Sequence, residues 1–242
     1  MIINLSRSRG KIFSLCFVSL FVFILAGCST QKTWKYSIDP ESTSPPIIEK
    51  SLAVAPFSDQ RPSENSNYAM LYAIPLMPFG WQTFNTPEGA QMHVTSGLWF
   101  WRPNEDMAKA TAEEINAAHI FKETFYTNRP TEGNLTLQGK INSTKYEGKL
   151  FSYCLSILGP DLWLIGFPAA SFNNELDLSF TLKENQTNTV LWEKVYHQEI
   201  SKVTWIYGMK ADFEYPDLLK KIMLELLNDL RANANTIKTK IK

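Results

Sequence analysis

Three cysteines and three histidines are the side chains of this 242-residue chain best suited to nucleophilic or metal chemistry. His93, His119 and His197 fall in three separate stretches, far from the close Cys and His spacings that let one helix or loop hold zinc. No G-x-S-x-G elbow, phosphate loop, G-x-G-x-x-G turn or H-E-x-x-H helix occurs. Cys154 sits inside an apolar run. A catalytic thiol needs an electropositive, partly exposed setting, so a buried structural thiol is expected there. Tyr153, Asp161 and Trp163 could line a pocket, but so could any cluster at a strand end. No catalytic residue, metal ligand or cofactor is assigned, and a non-enzymatic protein is expected.

The other two cysteines belong to the first 28 residues. Arg7, Arg9 and Lys11 precede an apolar run from Ile12 to Ala26, with no acid among them. A basic start, a short apolar stretch and small residues at its end describe a secretory signal. The run is short for a membrane span, which needs roughly 20 residues. Leu25-Ala26-Gly27-Cys28 then resembles the bacterial lipobox. The resemblance implies cleavage between Gly27 and Cys28, a diacylglycerol on the Cys28 thiol and an N-acyl chain such as palmitate on the new amino group. At about 0.8 kcal/mol per buried CH₂, two or more acyl chains hold a protein stably on a bilayer. An Asp after the cysteine retains enterobacterial lipoproteins in the inner membrane. Ser29 at that position points, by the same resemblance, to the outer membrane, with the chain facing the periplasm.

The composition is globular: 44% hydrophobic, 20% charged and 13% aromatic, which excludes a wholly disordered or collagen-like chain. The 24 basic and 24 acidic side chains balance, but removal of residues 1–27 takes three basic residues and no acid. The mature chain is therefore mildly acidic, which argues against a general nucleic-acid or polyanion binder. Cys16 leaves with the signal and Cys28 takes the lipid. Cys154 alone remains, and no intramolecular disulfide is expected.

The elements that would position these residues follow from periodicity. Residues 28–50, with Pro40, Pro45 and Pro46, read as a linker reaching at most ~70 Å when fully extended. Trp34 and Tyr36 within it would rest either at the membrane interface or on the domain. Residues 51–233 read as one globular domain, and 234–242 as a polar, basic, frayed tail. Leu52 to Phe57 is a buried strand closed by Pro56. Asp59 and Arg61 follow in a polar turn, read as turn chemistry and a local ion pair rather than a surface site. Asn104 is a helix cap before Met107, Thr111, Ile115 and Ala118 on one face, with Glu113 and Glu114 solvated. Leu135 to Ile141 alternates, and Leu176 to Leu182 alternates more clearly; Val190 to Ile200 returns as the second arm of a hairpin. Pro216 and Asp217 open a final helix with Leu219, Ile222, Met223, Leu226 and Leu230 in one stripe. The expected fold class is α+β, or an α/β layered sandwich, with a mixed, mainly antiparallel sheet and two principal helices packed on it.

Two stretches escape this pattern. Residues 63–102 are long for a passive loop and rich in aromatics and Met. Residues 150–170 carry one charge, Asp161, and Gly159-Pro160 and Gly166-Phe167-Pro168 break any continuous helix. Both are read either as packing on the sheet or as surface that meets a partner, a second copy or the bilayer, with Trp81, Trp99, Trp101 and Trp163 as the candidate contact residues.

Leu52-Ala53-Val54-Ala55-Pro56-Phe57-Ser58-Asp59, the Leu135 to Ile141 strand with Gly139, and the hairpin ending in Val190-Leu191-Trp192 occur in that order behind a lipobox. This order resembles a group of periplasmic α/β domains: the curli-secretion lipoprotein, PelC, the outer-membrane activator of a penicillin-binding protein and the TolB amino-terminal domain. The resemblance covers about half of the mature chain; residues 63–102 and 150–170 have no counterpart in it. It implies a non-enzymatic factor of envelope assembly, export or maintenance that meets envelope proteins and possesses a capacity for self-association. A subunit of an oligomeric outer-membrane export pore, and a lipid-anchored hydrolase or ligand carrier, are the alternatives.

Overall fold

The computed structural model describes residues 32–40, 43–89, 99–208 and 214–241. The signal, Gly27, Cys28 and His93 lie outside the described residues.

A long antiparallel hairpin organises the domain. β10 (Ala170–Glu184) and β11 (Val190–Thr204) pair along their whole length, from Ala170 opposite Thr204 to Lys183 opposite Val190. The other edge of β10 is met by β8 (Leu135–Ser143) and then β9 (Tyr146–Phe151), two parts of one course bent at Thr144-Lys145. The sheet branches beyond this bend. β2 (Ile48–Val54) and the two-residue β3 (Ser58–Asp59) run parallel to β8, and β7 (Phe121–Tyr126) runs parallel to β2. β5 (Phe79–Phe84) pairs antiparallel with β9, and β4 (Asn65–Tyr68) with β5. β1 (Lys32–Thr33) and β6 (Trp99–Phe100) form a separate parallel pair.

Alternation explains why one face of this sheet is covered. Leu176, Leu178, Phe180 and Leu182 of β10 are fully buried, while the residues between them are half-buried. α1 (Pro103–Ala117) and α3 (Tyr215–Lys240) pack together on the buried face. The fold is thus an α+β layered sandwich on a mixed, mostly antiparallel sheet, with a third, six-residue helix, α2 (Gly159–Leu164), at one end of the sheet. Among the described residues no helix is long and apolar enough to cross a membrane.

Several boundaries differ from the sequence expectation, each for a local reason. α1 starts two residues early, with Arg102 and not Asn104 at the cap: Pro103 occupies the first turn, and the Arg102 N–H donates to Asp106 Oδ2 at 2.8 Å. Glu114, expected in solvent, is 1% exposed, because residues 34–39 fold over it. β2 begins at Ile48, itself in the core, so the chain is ordered well before residue 51. α3 continues to Lys240 rather than fraying after Ala232. Ala234 and Ile237 extend the Leu230 stripe at spacings of four and three, and Lys238 and Lys240 suit the negative end of the helix dipole.

Candidate functional site

Four strand ends meet at one pole of the sheet. Phe79 at the start of β5 stands opposite Phe151 at the end of β9, Leu150 stands opposite Ala170 at the start of β10, and Ala170 stands opposite Thr204 at the end of β11. The connections 69–78, 152–169 and 205–208 therefore leave from the same place. They are tied to one another: Ser156 Oγ donates to the Ala73 carbonyl, Ser152 N to the Pro78 carbonyl at 3.0 Å, and Trp205 Nε1 to the Gly166 carbonyl at 3.1 Å. Gly80 and Gly159 permit this close contact, since a Cβ at either would collide with the backbone of Ala69 or Ser152.

The pole is apolar and turned outward. Leu76 and Tyr207 are each 81% exposed, Ile165 72% and Ile157 71%, and Leu158, Leu164 and Met70 are also exposed. Cys154 is exposed here too, so the expected buried thiol is corrected: the apolar run around it forms an end loop instead of a core strand. Leu76, Tyr153, Cys154 and Ser156 hold left-handed backbone, with φ of 69°, 56°, 63° and 56°. Each such residue costs about 1–2 kcal/mol, so the loops are held in a strained course that keeps these side chains out.

Beside the pole, on the sheet face that the helices leave uncovered, lies a groove of about 740 Å³. Strand register builds it as two cross-strand rows, Trp81–Lys149–Ser171–Val203 and Thr83–Glu147–Asn173–Ser201. The Lys149 ammonium lies 5.2 Å from the centre of the Phe79 ring, and Ser201 Oγ donates to Asn173 Oδ1 at 2.7 Å. An exposed indole, an amide, an ammonium and a carboxylate in one open groove suit a polar, partly flat partner surface.

The four candidate tryptophans separate. Trp81 stands at the rim of this groove and is exposed. Trp163 is half-buried and donates to the Phe151 carbonyl at 3.0 Å, which fastens α2 to the pole. Trp101 is inside the domain, 4% exposed, stacked between Trp34 at 5.3 Å and Tyr215 at 5.1 Å, and offers no contact surface. Trp99 lies on β6, and its side chain is outside what is described.

Two buried clusters of titratable side chains serve packing. The Arg61 guanidinium is 2% exposed and joins Asp59 at 2.7 Å, Glu88 at 2.5 Å and Thr144 Oγ1 at 2.7 Å, closing the loops around the β8–β9 bend. Hydrogen bonds from Arg61, opposed by partial burial, hold the Asp59 carboxyl below the usual range. The Lys220 ammonium meets Glu114 and, at 2.9 Å, Asp39, and the Tyr36 hydroxyl donates to Glu114 at 2.9 Å. Burial favours loss of the Lys220 proton, but the bonds to Asp39 and Glu114 outweigh it and hold the ammonium charged. His119 Nδ1 is 2.9 Å from the Ser44 carbonyl, and His197 lies on β11, 3.9 Å from Asp177. Among the described residues no three metal-ligating side chains cluster. Sequence reasoning did not find the groove, because it is assembled from three or four residues of each of four strands that lie far apart in the chain.

No family model matches the chain, and no curated protein matches it. Solved structures do. A Xanthomonas campestris protein described by the family model DUF330 has a TM-score of 0.44 at 10% identity, covering 81% of this chain and 90% of its own. The PelC dodecamer from Paraburkholderia phytofirmans has a TM-score of 0.35 at 10% identity, covering 78% and 92%. Lipoprotein GNA1162 from Neisseria meningitidis has a TM-score of 0.26 at 12% identity, covering 75% and 98%.

Proposed function

We propose that this chain is a lipid-anchored bacterial envelope protein, held at the periplasmic face of the outer membrane. It acts there in assembly, export or maintenance by contact with other envelope proteins and not by catalysis. The observation that carries the reading is Leu25-Ala26-Gly27-Cys28 placed directly after a basic and then apolar leader. The groove with Trp81 at its rim supplies a contact surface of mixed chemistry for a protein partner.

Metabolic labelling with a clickable fatty acid tests the anchor. The wild-type chain takes the label and fractionates with the outer membrane, and Cys28→Ala loses the label and keeps its leader. Label retained by Cys28→Ala sinks the reading.

A further inference from the structure

We infer that the apolar pole of the sheet docks on the bilayer, so that the loops 69–78, 152–169 and 205–208 sit in the interfacial layer of the membrane that holds Cys28. This rests on the anchored-lipoprotein reading above.

Four observations lead to a lipid surface. Across residues 68–81, 150–168 and 203–208 the single charged side chain is Asp161. A water-facing end loop of a soluble domain is rarely so depleted of charge, and a contiguous apolar surface marks a contact. Four backbone N–H groups at the tip are satisfied from within. The N–H of Leu158 donates to Leu155, that of Ile165 to Leu162, that of Gly166 to Trp163 and that of Phe167 to Leu162. Internal satisfaction is what a segment needs where no water can replace a lost hydrogen bond. Trp205 and Tyr207 stand exposed among the aliphatic tips, and the Lys149 ammonium lies over the Phe79 ring at the start of β5. Amphipathic aromatic rings favour the headgroup level, and lysines favour an anionic surface.

The fourth observation is where the anchor enters. Trp34 stacks on Trp101 and Trp101 on Tyr215. Glu214, next to Tyr215, pairs at 2.8 Å with Lys202, two residues before β11 ends at the pole. The domain therefore takes up its N-terminal segment on the half of the sheet that carries the pole, where the Tyr215 hydroxyl donates to the Thr144 carbonyl at the β8–β9 bend at 2.7 Å. Five residues separate Trp34 from Cys28, a reach of at most ~20 Å when extended. A short tether makes the second contact with the bilayer an intramolecular event, which favours it over a partner that must diffuse in. With α2 only six residues long, the pole dips into the interface and does not span the membrane.

The test uses the full lipidated chain, with an environment-sensitive fluorophore on the exposed thiol of Cys154, reconstituted into phosphatidylethanolamine–phosphatidylglycerol vesicles. The expected result is blue-shifted emission that brominated acyl chains quench. The double variant Ile157→Glu, Ile165→Glu changes only exposed side chains. It is expected to keep the fatty-acid label, vesicle flotation and circular dichroism while losing most of the quenching. A chain that carries the label and floats, yet whose probe brominated chains do not quench, overturns the proposal. Such a result with a doubled mass in mild detergent assigns the pole to a second copy instead. A chain lacking the fatty-acid label refutes the anchor separately. With Cys16 and Cys28 replaced by Ser, so that Cys154 alone takes the fluorophore, its probe still reports on the pole with added vesicles, where quenching supports docking and its absence overturns it.

Discussion

At the scale of single residues, the most informative group is the buried carboxylate of Glu114. It lies at 1% exposure between α1 and α3, and its charge is compensated by Lys220 from one side while the Tyr36 hydroxyl donates to it from the other. Removing one partner of such a pair leaves a buried charge uncompensated, which costs about 3–5 kcal/mol. Lys220→Met is therefore expected to lower the chemical-denaturation midpoint strongly at pH 7. Adding Glu114→Gln to it is expected to recover most of the loss, because the stranded charge is then gone. An additive, further loss in the double variant would show that the pair is not coupled. Sequence periodicity could not show this burial. Glu114 is off the apolar stripe of α1, and what covers it arrives from residues 34–39, nearly 80 positions away.

At the scale of elements, α3 shows how far a pattern can be followed and where it fades. Leu219 to Leu230 is an unbroken stripe and was legible. Beyond Leu230 the stripe continues through Ala234 and Ile237, but Asn and Thr dilute the apolar signal and the three lysines resemble a solvated tail. Ile237 is 1% exposed, so Ile237→Ala is expected to cost about 2–4 kcal/mol in a urea-unfolding experiment. The exposed Leu224→Ser should leave the midpoint nearly unchanged. Equal effects of the two would place the end of α3 in solvent. The β10–β11 hairpin was the best-read element, since its period of two reflects one covered and one open face. The pole was the worst-read, because an apolar run reports only that water is avoided and is equally consistent with a core strand and with loops built to meet something apolar. Cys154 shows the difference: the same run that suggested a buried thiol puts it outside.

At the scale of the whole molecule, the fold separates two kinds of surface on one frame: an apolar pole at the strand ends and a polar groove on the open face beside it. Strand register alone juxtaposes them, since Trp81, Lys149, Ser171 and Val203 form the row nearest the pole. The way residues 34–47 are fastened has a mechanical consequence. A pull applied through Cys28 does not load the sheet first. It acts on the short β1–β6 pair, then on the Trp34–Trp101 stack and then on the contacts of Tyr36 and Asp39, which open one after another as in peeling, whereas β2 is clamped between β7 and β8 and must be sheared along its length. Releasing those 14 residues lengthens the tether by up to roughly 45 Å before the core bears force. In single-molecule pulling from Cys28 this is expected as an early, weak extension of about that length, lower still in Lys220→Met, followed by one strong unfolding event. A single event without the early step would contradict it. The segment that resembled a plain linker thus acts as a reserve of slack, paid out under tension and rewound at rest.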